Sequence, residues 1–189
     1  MTRDEIKYLA LQELGYVKEP DFDADDDNAV NAINGVYEHL YDLALVSFDW
    51  CFCYGSAELE QEDNAGAGGW KYYYMLPDDL LYLRGVYADE WITPIKNYLN
   101  YDGAVFTNTD YCFIHYTKKV AEDQLPPYFV EYLKYKLAAK ICQTLTGDMD
   151  LLKLLMMREQ EAFAEAKNID INQRPVRFLD TDAFIEVRN

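Results

Sequence analysis

Trp70-Lys71-Tyr72-Tyr73-Tyr74-Met75-Leu76-Pro77-Asp78-Asp79-Leu80-Leu81-Tyr82-Leu83 decides how the rest of this chain is read. Its first half alternates, with Trp70, Tyr72 and Tyr74 on one side of an extended strand and Lys71 and Tyr73 on the other. Pro77 cannot donate to a ladder and interrupts the sheet. Leu80 to Tyr87 then resumes as a second strand, with a bulge expected at Gly85. Downstream, Tyr98–Tyr101 and Ala104–Thr107 flank Asp102-Gly103, a strong two-residue hairpin signal. Tyr111 to Thr117 reads as the last strand. A small antiparallel sheet of aromatic strands is expected from Trp70 to Thr117, where core and subunit interface account for the rings better than nucleic-acid stacking, because interleaved Arg and Lys are missing.

Helical periodicity flanks this block on both sides. Thr2 and Glu5 have capping-box spacing, and Ile6, Leu9, Ala10 and Leu14 lie on one face, so a helix is expected over 2–14, with Gly15 as its stop. A second stripe, Val30, Ile33, Tyr37, Leu40, Tyr41, Ala44 and Phe48, places a helix over 29–48 with His39 off the stripe. Asp21 to Asp27 is acidic but has Asp26 and Ala32 where a calcium loop needs Gly and Glu, so it reads as a helix N-cap region. Pro126-Pro127 suits a first helical turn, and Phe129, Val130, Leu133, Leu137, Ile141 and Leu145 form the stripe of a helix over 127–146. Gly147 ends it, and Asp148 caps a fourth helix reaching about Lys167. Asn168 to Asn189 contains Pro175 and an alternating end, Phe184, Glu186 and Arg188 against Ile185 and Val187.

The fold class that follows is α+β: an antiparallel bundle of four helices with an inserted small antiparallel β-sheet subdomain and an extended C-terminal tail. The expected divisions are 1–50 with 118–168 for the bundle, 51–117 for the sheet insertion and 169–189 for a docking tail. Trp50 to Tyr54 is expected to pack under the sheet, and Glu58 to Gly69 to form a loop. Its glycines lack the Gly-Lys-Ser/Thr of a phosphate loop.

Composition narrows the chemistry. The 189 residues carry 34 acids against 17 bases, a net charge of −17, which opposes tight phosphate binding. Cys51-x-Cys53 is too closely spaced for a usual zinc pair, so Cys51, Cys53, Cys112 and Cys142 read as reduced thiols, and neither a metal nor another cofactor is expected. No membrane-length apolar run and no signal-peptide core is present.

The order of these pieces resembles the head-to-tail adaptor of short-tailed bacteriophages, the tail tubular protein A family. The similarity is carried by the opening helix ending in Leu14-Gly15 and by Val36-Tyr37-Glu38-His39-Leu40-Tyr41-Asp42-Leu43-Ala44-Leu45 with Trp50. It continues through Trp70 to Leu81, Ile114-His115-Tyr116, Leu125-Pro126-Pro127-Tyr128-Phe129, Leu137-Ala138-Ala139 and Leu145-Thr146-Gly147-Asp148. The long acidic, Gly-rich loop and the stronger acidity depart from it. The resemblance implies a structural protein of the virion, assembled in the host cytoplasm, that forms a ring of twelve beneath the portal protein. It also implies that the ring extends the DNA channel, helps retain the genome, and bears the tail nozzle (a tail tubular protein B-like protein) and the fibres. Genomic DNA would pass through without sequence-specific contact.

The residues expected to meet the portal or a neighbouring subunit are Arg174, Arg177, Phe178, Phe184, Ile185, Val187 and Arg188, apolar anchors and bases in the least acidic part of the chain. No catalytic residue is assigned. Two other readings stand beside the adaptor. One is a peptidoglycan hydrolase drawing on Asp78, Asp79, Glu58 and Glu62, since glycoside hydrolysis needs paired carboxylates. The other is a plain cytoplasmic oligomerisation module.

Overall fold

Helices open and close the chain, with strands between them. The computed structural model describes residues 1–24, 27–61, 69–89 and 93–173. The order is α1 (Arg3–Gln12), α2 (Asn28–Val46), β1 (Tyr54–Glu58), β2 (Tyr72–Met75), β3 (Leu80–Tyr87), β4 (Tyr98–Tyr101), β5 (Ala104–Thr107), β6 (Phe113–Lys118), α3 (Pro127–Leu145) and α4 (Met149–Asn172). The class is mixed α+β: four helices and two small antiparallel sheets of three strands.

Local chemistry sets the helix ends. Thr2 and Glu5 form the reciprocal capping box of α1. The Asp27 carboxylate accepts from Ala29 N–H at the start of α2, and Asp148 accepts from Asp150 and Leu151 N–H at the start of α4. Pro127 occupies the first turn of α3, where its missing N–H costs nothing. Gly147, at φ 66°, makes the left-handed turn between α3 and α4.

α3 is the central helix and packs on each of the other three. Its contacts with α4 pair early residues with late ones: Tyr128 with Asp170, Tyr132 with Phe163 and Lys136 with Glu159. The two helices are therefore an antiparallel hairpin. Lys134 reaches Glu13 at 3.1 Å, joining α3 to the end of α1, and the Tyr41 hydroxyl donates to Val120 O at 2.6 Å, joining α2 to the chain ahead of α3. Ile6, Ile33, Tyr37, Leu45, Trp50, Phe129, Leu133 and Leu137 fill the helical core.

The strands differ from the single expected sheet. Sheet A has the order β1-β6-β3, and sheet B the order β2-β5-β4. β1 runs from Tyr54, the last residue expected to pack beneath the sheet, to Glu58, the first expected to loop out, and it pairs with β6 from Tyr54↔Thr117 to Glu58↔Phe113. Gly55, Ser56 and Ala57 are weak strand formers, so the sequence hides it. Contact with Tyr116 selects glycine at position 55: a Cβ there would lie 2.7 Å from the Tyr116 ring. The bulge expected at Gly85 is present as a register shift between Leu83 and Gly85. Asp102 and Gly103 have φ of 51° and 72° and close the β4–β5 hairpin as a primed turn.

The inner faces of the two sheets share a second core made of Leu59, Tyr74, Val86, Val105, Cys112, Ile114 and Tyr116. Arg84 fastens this part to the helices. Its Nε donates to Thr117 Oγ1 at 3.0 Å, its Nη2 lies 3.5 Å from Trp50 O, and Asp49 Oδ1 is 3.5 Å away.

Candidate assembly surfaces

The seven residues expected to meet a partner, Arg174, Arg177, Phe178, Phe184, Ile185, Val187 and Arg188, all lie outside the described residues. What the structure places is the point from which that segment departs. The extended segment was expected from Ile169, but α4 continues through Asn172. Its last turn carries Asp170, which is fully buried. Cys51 N–H donates to both its carboxylate oxygens at 3.0 Å, and the Tyr128 hydroxyl donates to Oδ1 at 2.9 Å. Burial and the adjacent Asp170 push the Tyr128 phenol well above its ordinary range. Sequence reading missed this residue because an Asp near a helix C-terminus opposes the macrodipole and reads as surface. The antiparallel hairpin brings it instead to the N-terminus of α3, where a negative charge is favoured.

A second surface lies on sheet B. The registers Tyr73↔Phe106↔Leu99 and Met75↔Ala104↔Tyr101 place six apolar or aromatic residues on one face. The opposite face carries Tyr74, Val105 and Thr107 into the interior, so this one points outward, with Tyr73 and Phe106 half-buried and Ala104 between Met75 and Tyr101 covered. Met75 is 51% exposed, Leu99 45% and Tyr101 66%, and Tyr73 stacks on Phe106 at 5.6 Å between centroids. No charged residue belongs to the two rows. The aromatic strands were expected to serve core and subunit interface; the structure places part of them in a core and leaves part exposed, and which face is which needs the register.

The remaining candidates are dispersed. His39 is exposed on α2. His115 sits in β6, its Nδ1 2.9 Å from the Tyr54 hydroxyl and its ring 4.6 Å from that of Tyr87. Burial, helped by the charge of Arg84, holds its pKa below the ordinary histidine range. The imidazole of the folded chain therefore resists protonation. As pH falls through about 6.5, the unfolded chain takes up the proton first and stability is lost. Relative to His115→Gln, the native chain should lose stability between pH 7.5 and 5.5, measured by urea midpoints. Carboxylates common to both proteins cancel, so parallel profiles would refute this assignment.

Of the acids named for hydrolysis, Glu58, Asp78 and Asp79 are exposed, and Glu62 lies outside the described residues. Asp79 Oδ1 accepts from the Tyr116 hydroxyl at 3.2 Å. An open cleft elsewhere is lined by Ser47, Tyr132, Lys136, Met156 and Glu159, with Lys136 and Glu159 paired at 3.3 Å. Cys53, Cys112 and Cys142 are buried thiols, and burial pushes the Cys53 thiol up to about 11 and that of Cys112 to about 12. Among the described residues no group of three His, Cys, Asp or Glu could hold a metal ion, and no helix is long and apolar enough to cross a membrane. Compared with known protein families and with characterised proteins, the chain matches none.

Proposed function

We propose that this chain is the head-to-tail adaptor of a short-tailed bacteriophage, a virion protein that forms a ring of like subunits, twelve by the resemblance, beneath the portal. In this reading the four helices form an antiparallel bundle that gives each subunit its body. The segment after Gln173 docks on the portal or on a neighbour, and the ring carries the nozzle and fibres on its far side. The observation that carries it is the outer face of sheet B: an uncharged, apolar and aromatic surface on a chain of net charge −17. Exposed patches of this kind mark protein contacts. The reading is supported by helices that flank a block of strands, the arrangement on which the resemblance rests, and an acidic channel wall would let duplex DNA slide because it offers few phosphate contacts.

The test is the mass of the purified chain alone and mixed with its portal protein. A portal-bound ring is expected, and a version ending at Gln173 should stay folded but bind the portal at least roughly tenfold more weakly, the scale of losing a central anchor. Ending the chain before Asp170 would instead damage the helical body. A chain that ignores the portal, or one that degrades peptidoglycan through a single essential carboxylate, would overturn this reading.

A further inference from the structure

The four outer strand edges are not equivalent: β1, at one end of sheet A, runs through Gly55, Ser56 and Ala57 to a charged Glu58 and offers no exposed apolar row to extend. β2 is flanked by a bridge from Gln61 to Tyr74, and β3 by a bridge from Tyr87 to Pro94. β4 ends sheet B, all four of its residues are exposed, and among the described residues no strand pairs with its outer side. The hairpin fixes which of its backbone groups face outward. In a two-residue turn the closing pair, here Tyr101 and Ala104, is hydrogen-bonded, and so is the pair two residues back, Leu99 and Phe106. The N–H and C=O of Tyr98 and Asn100 therefore point away from β5. A strand added there would extend the row Tyr73–Phe106–Leu99 or Met75–Ala104–Tyr101 by one more side chain.

The chain holds one segment outside the described residues that suits this edge. Its end alternates, with Ile185 and Val187 on one side and Phe184, Glu186 and Arg188 on the other. It departs from Gln173 just beyond the turn that Asp170 fixes, and the ten residues to Ala183 can span about 33 Å when extended. We infer that the 183–188 segment of one copy adds as a strand to the β4 edge of a second copy, with Ile185 and Val187 continuing the apolar rows of sheet B. Head-to-tail exchange of this kind uses two different surfaces on each copy, so it propagates around a ring rather than stopping at a two-fold pair. The inference deepens the reading of the C-terminal segment as a docking element and names its receiving surface.

Full-length proteins test it by complementation. One variant, Leu99→Lys with Tyr101→Lys, has a spoiled edge and an intact end. The other, Ile185→Asp with Val187→Asp, has an intact edge and a spoiled end. Sedimentation should show concentration-dependent association of the native chain, weakened at least roughly tenfold in each variant alone. An equimolar mixture should recover a two-chain species, because each supplies what the other lacks. Should the lysines unfold the hairpin by circular dichroism, threonine at both positions keeps strand propensity and carries the same test. A native chain that stays monomeric at millimolar concentration, a mixture that recovers nothing, or variants that associate like the native chain would each overturn the inference. Docking of the segment on its own sheet would give the first of these outcomes. Portal binding is scored separately. Complementation without portal binding removes the adaptor reading alone, and portal-bound rings formed equally by both variants remove this inference alone.

Discussion

Trp50→Ala should cost about 3–5 kcal/mol of folding free energy, the range for emptying a large aromatic site in a core. Trp50 is 0% exposed and stands where the end of α2, the start of α3 and the middle of α4 converge. Its ring centroid lies 5.0 Å from that of Phe48, 5.3 Å from Phe129, 6.0 Å from both Phe52 and Phe163, and 6.3 Å from Tyr132. The contacts with Phe48, Phe129 and Phe163 are edge-on, the arrangement that aromatic quadrupoles favour. Removing the indole would withdraw the common neighbour of rings from α3, α4 and the segment after α2, and these three cannot close the gap together. The indole N–H also donates to Ala44 O at 3.0 Å, but the Ser47 hydroxyl meets the same carbonyl at 2.7 Å, so the polar loss is minor. Trp50→Phe should therefore keep more than half of the lost stability. A urea midpoint for Trp50→Ala within experimental error of the native one would show that this cluster does not organise the helical core.

The helices were legible in the sequence because their signals are local. Capping at Thr2 and Asp148, the Pro126-Pro127 start, the turn at Gly147 and the three-and-four spacing of apolar residues each act within one or two turns. β3, β4 and β5 were legible for a similar reason, since Pro77 and Asp102-Gly103 punctuate them. β1 was not, because Gly55, Ser56, Ala57 and Glu58 favour no strand by themselves and their partner β6 lies about sixty residues away in the chain. The division into two sheets was hidden likewise, as pairing partners are fixed by long-range register and not by composition. The outward face of sheet B required that register too: Tyr73 and Tyr74 are adjacent and chemically identical, yet one faces out and the other is buried.

Asp170→Ala should cost roughly 3 kcal/mol, because hydrogen bonds to a charged group contribute about 1.5–3 kcal/mol each and two half-buried donors would lose their acceptor. The loss has a direction in space. Cys51 follows the core tryptophan and Tyr128 opens α3, so the carboxylate binds the last turn of α4 to both at once. Without it, the Cys51 N–H and the Tyr128 hydroxyl lose this acceptor, and the helix end keeps the weaker contact of the Cys51 thiol with Asp170 O at 3.6 Å and the packing of Ala166. Asp170→Asn keeps one carbonyl acceptor and should lose less than half as much, whereas Asp170→Glu places the charge one methylene too far into a filled site. Hydrogen exchange should localise the effect: amides of the final turn of α4 should exchange much faster in Asp170→Ala, and those of α2 should change only by the global loss. The same change removes the fixed departure point of the C-terminal segment, so any assembly that depends on that segment should weaken beyond what lost stability explains. Equal protection of the final turn in native and Asp170→Ala chains would mean that packing alone holds α4, and that the buried carboxylate has no part in setting where the docking segment begins.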